Sequence, residues 1–183
     1  RRGAVGLVGG GGREHAGAGG GAGEGALHAG AGVRNPGIRR LADGLESIDE
    51  TDAAAVAEYA TAVGADLAVI GPESALEAGV ADALDDAGVY AFGPRAAEAR
   101  LETDKAYQRE FMERNAIPGC PDYAVFDDMD AACEHIEGYD GDLAVKPAGL
   151  TGGKGVKVIG DQVTPEEAEA YLRDSDYDRV VLE

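Results

Sequence analysis

The stretch Asp66-Leu67-Ala68-Val69-Ile70-Gly71-Pro72-Glu73-Ser74-Ala75-Leu76-Glu77 decides the fold. Its apolar run reads as a strand that ends at Gly71-Pro72. Ser74 and Glu77 then have capping-box spacing, and Leu76, Val80, Leu84 and Ala87 recur at helical period. Val89–Phe92 is a short strand stopped by Gly93-Pro94. Upstream, Val56, Tyr59, Ala60 and Val63 share one helix face within Ala53–Val63, and Ala4–Val8 reads as a buried strand. Strand, helix, strand, helix, strand at this spacing predicts a parallel α/β sheet.

Downstream the rhythm changes. Arg95–Asn115 is mostly helical, with a break near Thr103 as a candidate N-cap, and Ile117-Pro118-Gly119 closes the first unit. The expected domains are therefore 1–117 and 118–183. In the second, Tyr123–Phe126, Leu143–Lys146, Val156–Ile159 and Arg179–Leu182 read as strands. Met129–Ile136 reads as a helix, and a second begins at the proline-bearing cap Thr164-Pro165-Glu166-Glu167. The strands flanking the glycine loop should form an antiparallel hairpin, making this part α+β. The stretch from Ala16 to Gly32 is nearly all Gly and Ala, with six glycines between 17 and 25, where a helix after the first glycine turn would be expected. Each glycine costs an isolated helix ~1 kcal/mol relative to alanine, so either packing enforces a helix there or the segment is loose.

The chain has 183 residues and a formal net charge of −19. Such acidity repels phosphate backbones and anionic lipid, so neither nucleic acid nor membrane is the expected partner. No apolar run approaches the ~20 residues of a membrane span, and the first residues carry no signal-peptide hydrophobic region. A soluble, cytoplasmic protein is expected. Cys120 and Cys133 lack metal or redox spacing, and His15, His28 and His135 are scattered, so no transition-metal site is expected. Eighteen aspartates are spread along the whole chain, and only four lysines stand beside twelve arginines. A surface adapted to molar salt explains this, because screening there falls to a few ångströms. The scarcity also makes Lys105, Lys146, Lys154 and Lys157 informative.

Two glycine loops suit phosphate. Gly9-Gly10-Gly11-Gly12-Arg13-Glu14-His15 follows a buried strand, where backbone N–H groups at the next helix start can cradle an anion. It fails the dinucleotide fingerprint, because Glu14 or His15 stands where the third glycine belongs. Arg13 suits a phosphate monoester instead. Lys146-Pro147-Ala148-Gly149-Leu150-Thr151-Gly152-Gly153-Lys154-Gly155-Val156 fails the Walker A pattern at Ala148 and Gly155. A flexible hairpin tip with a lysine on the preceding strand can still neutralise and cover a triphosphate. Glu73, at the carboxyl end of a strand, can accept hydrogen bonds from sugar hydroxyls. Lys105, at the unfavourable end of its helix, calls for an anionic partner.

Six blocks occur together and in order: Gly10–Ala16, Asn35-Pro36-Gly37-Ile38, Asp66–Glu73, Phe92-Gly93-Pro94, Asp104-Lys105-Ala106 and Lys146–Val156. With them the chain resembles the N-terminal portion of the phosphoribosylamine–glycine ligase (glycinamide ribonucleotide synthetase) family, in the ATP-grasp superfamily. The resemblance implies a parallel-sheet, Rossmann-like pre-ATP-grasp domain followed by an incomplete α+β ATP-grasp subdomain. It implies ATP-dependent joining of glycine to 5-phosphoribosylamine through a glycyl phosphate, in purine biosynthesis, by a protein more than twice this long. Substrate contacts would fall to Gly10, Gly11, Gly12, Arg13, Asn35 and Glu73. ATP contacts would fall to Lys105, Lys146, Gly152, Gly153, Lys154, Gly155 and Glu183. ATP and Mg²⁺ would be required, with the Mg²⁺ ligands outside this portion, and the 183 residues alone would be inactive. Oligomeric state stays open, with a monomer favoured. The rival readings are a non-catalytic nucleotide- or sugar-phosphate-binding module, an ATP-grasp ligase for another carboxylate and, more weakly, a dinucleotide oxidoreductase.

Overall fold

The computed structural model describes residues 4–9, for which only the backbone is considered, together with 25–33 and 35–183. The chain divides into two compact units, 1–99 and 100–183.

Unit 1 is built on a five-stranded sheet of β1 (Ala4–Gly9), β2 (Ala26–Ala31), β3 (Gly44–Ser47), β4 (Ala65–Ile70) and β5 (Tyr90–Phe92). All neighbours are parallel, and the spatial order is β3-β2-β1-β4-β5. This is the doubly wound α/β arrangement, in which the strand order reverses between β1 and β4 and opens a crevice at their carboxyl ends. The helices are α1 (Pro36–Leu41), α2 (Ala53–Ala62), α3 (Glu73–Glu77) and α4 (Val80–Asp86). Asn35 caps α1 and Asp52 caps α2, each through its side-chain oxygen. The core gathers Val56 and Ala60 of α2, Ala68 and Ile70 of β4, and Val80, Ala81 and Leu84 of α4.

Three features depart from the sequence expectations. The Gly/Ala tract contains β2, a strand paired on both sides, with Ala29 and Ala31 buried. A strand with hydrogen-bonded neighbours on both edges needs little side-chain signal of its own. The expected single helix after Ile70 is two helices, because Gly79 adopts φ +80° between them. The break near Thr103 is capped by Asp104, whose carboxylate accepts from the Tyr107 N–H at 3.0 Å, while Thr103 is buried.

Unit 2 begins within α5 (Ala96–Thr103) and contains α6 (Lys105–Arg114), β6 (Ala124–Phe126), α7 (Met129–Gly138), β7 (Leu143–Pro147), β8 (Lys157–Ile159), α8 (Pro165–Arg173) and β9 (Val180–Leu182). Its sheet is antiparallel, in the order β6-β9-β7-β8, and β7 and β8 form the expected hairpin around the glycine loop. One face is packed by α7 and α8, with Cys133, Ile136, Leu143, Val145, Leu172, Val180 and Leu182 buried together. The opposite face packs Val181 and Ala148 against Ala106 of α6. That contact places α6 with unit 2, so contacts divide the chain earlier than the 117/118 expectation. The result is an α/β unit followed by an α+β one. Among the described residues, no helix is long and apolar enough to cross a membrane.

Candidate functional site

In unit 1, the candidate site lies at the reversal between β1 and β4. Glu73 opens α3 directly after β4 and is exposed at the carboxyl end of the sheet. Asn35 is half-buried, and its Oδ1 accepts from the N–H groups of Gly37 at 2.8 Å and Ile38 at 3.3 Å. Its carbonyl oxygen is thus committed to the α1 cap, leaving the amide NH2 for any further partner. Gly10, Gly11, Gly12 and Arg13 lie outside the described residues. A small open hollow of about 160 Å³, lined by Ala31, Val33, Arg39, Leu45, Glu46 and Ser47, contains none of the expected residues.

In unit 2, the register of β7 and β9 brings the expected residues together. Ala144 exchanges both backbone hydrogen bonds with Glu183, and Lys146 lies opposite Val181. Alternation therefore puts Lys146, Val181 and Glu183 on one face and Val145 and Leu182 on the core face. The Lys146 ammonium pairs with the Glu183 carboxylate on this shared face. That carboxylate is also gripped by Arg109 of α6, from Nε to Oε2 at 2.5 Å and from Nη2 to Oε1 at 3.0 Å. Burial pushes the Glu183 carboxyl up, but hydrogen bonds from Arg109 and Lys146 outweigh it and hold the pKa below the ordinary value.

Lys105 begins α6 and is fastened to the glycine loop twice. Its N–H donates to the Ala148 carbonyl at 2.8 Å, and its ammonium donates to the Gly149 carbonyl at 3.0 Å. Burial, followed by the like charge of Lys146, depresses its pKa. Lys105 and Lys146 lie near enough to act on one another, with the carboxylates of Glu102, Asp104 and Glu183 partly offsetting the effect on Lys105. Two lysine ammonium groups beside a glycine loop are suited to a polyphosphate.

The glycine loop is fixed at its base and open at its tip. Gly155 is buried, and its carbonyl accepts from the Tyr171 hydroxyl at 3.0 Å. The Tyr171 and Tyr177 hydroxyls lie 2.7 Å apart, and the Lys157 ammonium lies 5.1 Å from the Tyr171 ring centre. Gly152 and Gly153 have φ of +59° and +75°, conformations that L side chains rarely adopt, and they are exposed with Lys154.

Lys105, Lys146 and Glu183 thus converge in unit 2, with the Gly152–Gly155 loop leading out from the strand bearing Lys146. Arg109 was not among the expected site residues. Its signal was helical spacing, one turn after Lys105 on the face that carries Ala106. Among the described residues, no group of three or more His, Cys, Asp or Glu is arranged to hold a metal ion.

Comparison with known proteins agrees with this division. Residues 4–102 match the family described as phosphoribosylglycinamide synthetase, N domain, and residues 103–180 match the ATP-grasp (A) domain of the same synthetase. A phosphoribosylamine–glycine ligase of Methanocella arvoryzae is 50% identical over 159 residues, covering 86% of this chain and 36% of that protein. One of Thermococcus gammatolerans is 48% identical over 175 residues, covering 92% of this chain and 39% of that protein. The chain therefore spans well under half the length of these curated relatives. Among solved structures, phosphoribosylamine–glycine ligase from Thermotoga maritima superposes with a TM-score of 0.68 at 24% identity, over 98% of this chain and 43% of that one. An ADP complex of N5-carboxyaminoimidazole ribonucleotide synthetase gives a TM-score of 0.73 at 16% identity, over 98% of this chain and 46% of that one. These superpositions are evidence of the fold alone.

Proposed function

The chain belongs to the phosphoribosylglycinamide synthetase family, and from that premise we propose that it serves the ATP-dependent ligation of glycine to 5-phosphoribosylamine. The products are glycinamide ribonucleotide, ADP and phosphate, and the reaction belongs to purine biosynthesis. Glycine's carboxylate attacks the γ-phosphate, giving glycyl phosphate and ADP. The amine of phosphoribosylamine then attacks the acyl carbon and releases phosphate. Such chemistry asks the protein chiefly for positioning and charge neutralisation.

The observation that carries this reading is the convergence of Lys105 and Lys146 at the root of a glycine hairpin, in a chain with only four lysines. In the proposed complex, both ammonium groups meet ATP phosphates, and Gly152, Gly153, Lys154 and Gly155 close over them and exclude water. Glu183 belongs to the same nucleotide-binding group, with the adenine or ribose as its expected neighbour. Gly10, Gly11, Gly12 and Arg13 take the 5-phosphate of phosphoribosylamine, Glu73 accepts from its ribose hydroxyls, and Asn35 supplies a further substrate contact. Mg²⁺ would neutralise the triphosphate, with its ligands outside these residues. We further propose a cytoplasmic, salt-adapted protein that acts on small molecules, with activity belonging to the complete ligase rather than to these 183 residues alone.

The test is ADP release from ATP by the complete ligase, in molar KCl with Mg²⁺, omitting glycine and phosphoribosylamine in turn. Release that needs both supports the reading. ATP binding with no release from this pair would overturn the substrate assignment.

A further inference from the structure

We propose that Arg109 is a positioning residue for the nucleotide phosphates, acting on Lys146 through Glu183. The inference rests on the reading that Lys146 meets ATP.

Ala106, fully buried against Val181 and Ala148, fixes the height of α6 over the sheet. One turn later, Arg109 leaves the same helix face and reaches the end of β9. Its two contacts to Glu183 form a fork, which fixes the plane of the carboxylate as well as its position. The fork is itself held, because Nη1 donates to Gln108 Oε1 at 2.8 Å. Lys146 shares only Oε1, and a lysine ammonium has no directional preference that would fix it alone.

Charge gives the arrangement its use. Side-chain exposures are 8% for Glu183, 16% for Arg109 and 25% for Lys146, so solvent screens these charges only in part. Glu183 alone with Lys146 would make a closed pair, with the ammonium neutralised and tied to a carboxylate free to turn. With Arg109 occupying both oxygens, the three groups carry a net positive charge, and Lys146 keeps attraction for a phosphate at a fixed point. An Arg109 that merely satisfies a buried glutamate would have no such dependence on Lys146.

The experiment measures ATP affinity and melting temperature of the complete ligase as wild type, R109A, R109K, K146M and R109A/K146M. Loss of a hydrogen-bonded charge pair predicts ATP binding about tenfold weaker in R109A. R109K, able to hold one carboxylate oxygen, should recover part of that loss. In the K146M background, R109A should weaken ATP no further. Equal weakening in both backgrounds, or unchanged affinity in a folded R109A, overturns the proposal. If R109A loses its cooperative melt, R109K and the added double variant R109K/K146M decide: wild-type affinity in R109K overturns the inference, and a weakening in R109K that is absent between K146M and R109K/K146M supports it. A wild type that binds no ATP removes the reading and the inference together. A wild type that binds ATP but does not join this substrate pair removes only the substrate assignment, and the variant affinities still decide the role of Arg109.

Discussion

The Lys105 ammonium donates to the Gly149 carbonyl at 3.0 Å across 44 residues of sequence. The contact ties the first residue of a helix to the root of the glycine hairpin. It does so with a cation where the helix dipole disfavours one, and where burial and Lys146 already depress its pKa. Function rather than stability explains such a residue. K105M should therefore melt no lower than wild type while ATP affinity falls at least about tenfold. A thermal melt and an ATP titration on the same preparation check this. A variant that melts lower yet binds ATP normally would make Lys105 a structural residue. Because its folded pKa is lowered, Lys105 also loses its charge at a lower pH than an ordinary lysine. ATP affinity should accordingly begin to fall earlier on the alkaline side.

Glu183 has the opposite pH signature. Its folded pKa lies below the ordinary value of 4.5, so the stability it contributes is present above that pH and is lost as pH falls through the folded value. E183Q should melt below wild type near neutrality, and the gap should close progressively as the pH falls below the ordinary glutamate value of 4.5 and through the lowered folded value. Melting curves of both proteins at stepped pH read the difference. A gap that widened in acid would contradict the assignment.

The hairpin glycines should separate by position. Gly149 has open space where a Cβ would stand, so G149A should change ATP-dependent activity less than about twofold. Gly153 has φ +75°, and G153A should strain the tip by ~1–2 kcal/mol. At Gly155 a Cβ would lie 2.9 Å from Pro147 Cγ and from Thr151 Cγ2 and Oγ1, so G155A should lose the most. Steady-state rates against ATP concentration rank the three.

Leu172 of α8 is fully buried among Cys133, Ile136, Val145 and Leu182. L172A should destabilise unit 2 by ~2–5 kcal/mol through lost transfer energy and a residual cavity. Denaturant unfolding followed in unit 2 measures it. A cost below about 1 kcal/mol would mean that α8 collapses into the gap.

A net charge of −19 with four lysines predicts a melting temperature that rises steadily from low to molar KCl. A melting temperature that fell over that range would remove the salt-adapted reading of the surface.

Legibility followed the strength of local signals. β4 was readable because Leu67–Ile70 is an unbroken apolar run ended by Gly-Pro, and α8 because Thr164 and Glu167 form a complete capping box. β2 was hidden because Ala-Leu-His-Ala-Gly-Ala has little strand preference, and its place is set by pairing with β1 and β3. β3, Gly-Leu-Glu-Ser, is too short to establish a period. The lysines of the site stood out by scarcity. Arg109, one of twelve arginines, did not, because its partner Glu183 is 74 residues away and only the fold brings them together.

The alternation along β7 has a consequence for assembly. Val145 belongs to the packed core and Lys146, the next residue, to the cationic face, while Val181 and Leu182 divide in the same way on β9. A one-residue slip between these strands would move an ammonium into the packed core and a valine onto the cationic face in a single stroke. The chain cannot close its interior in the wrong frame and still keep a misplaced lysine solvated. Correct folding thus proofreads the binding face, and any molecule with an intact unit 2 core has its two β7–β9 charges in register before a ligand arrives.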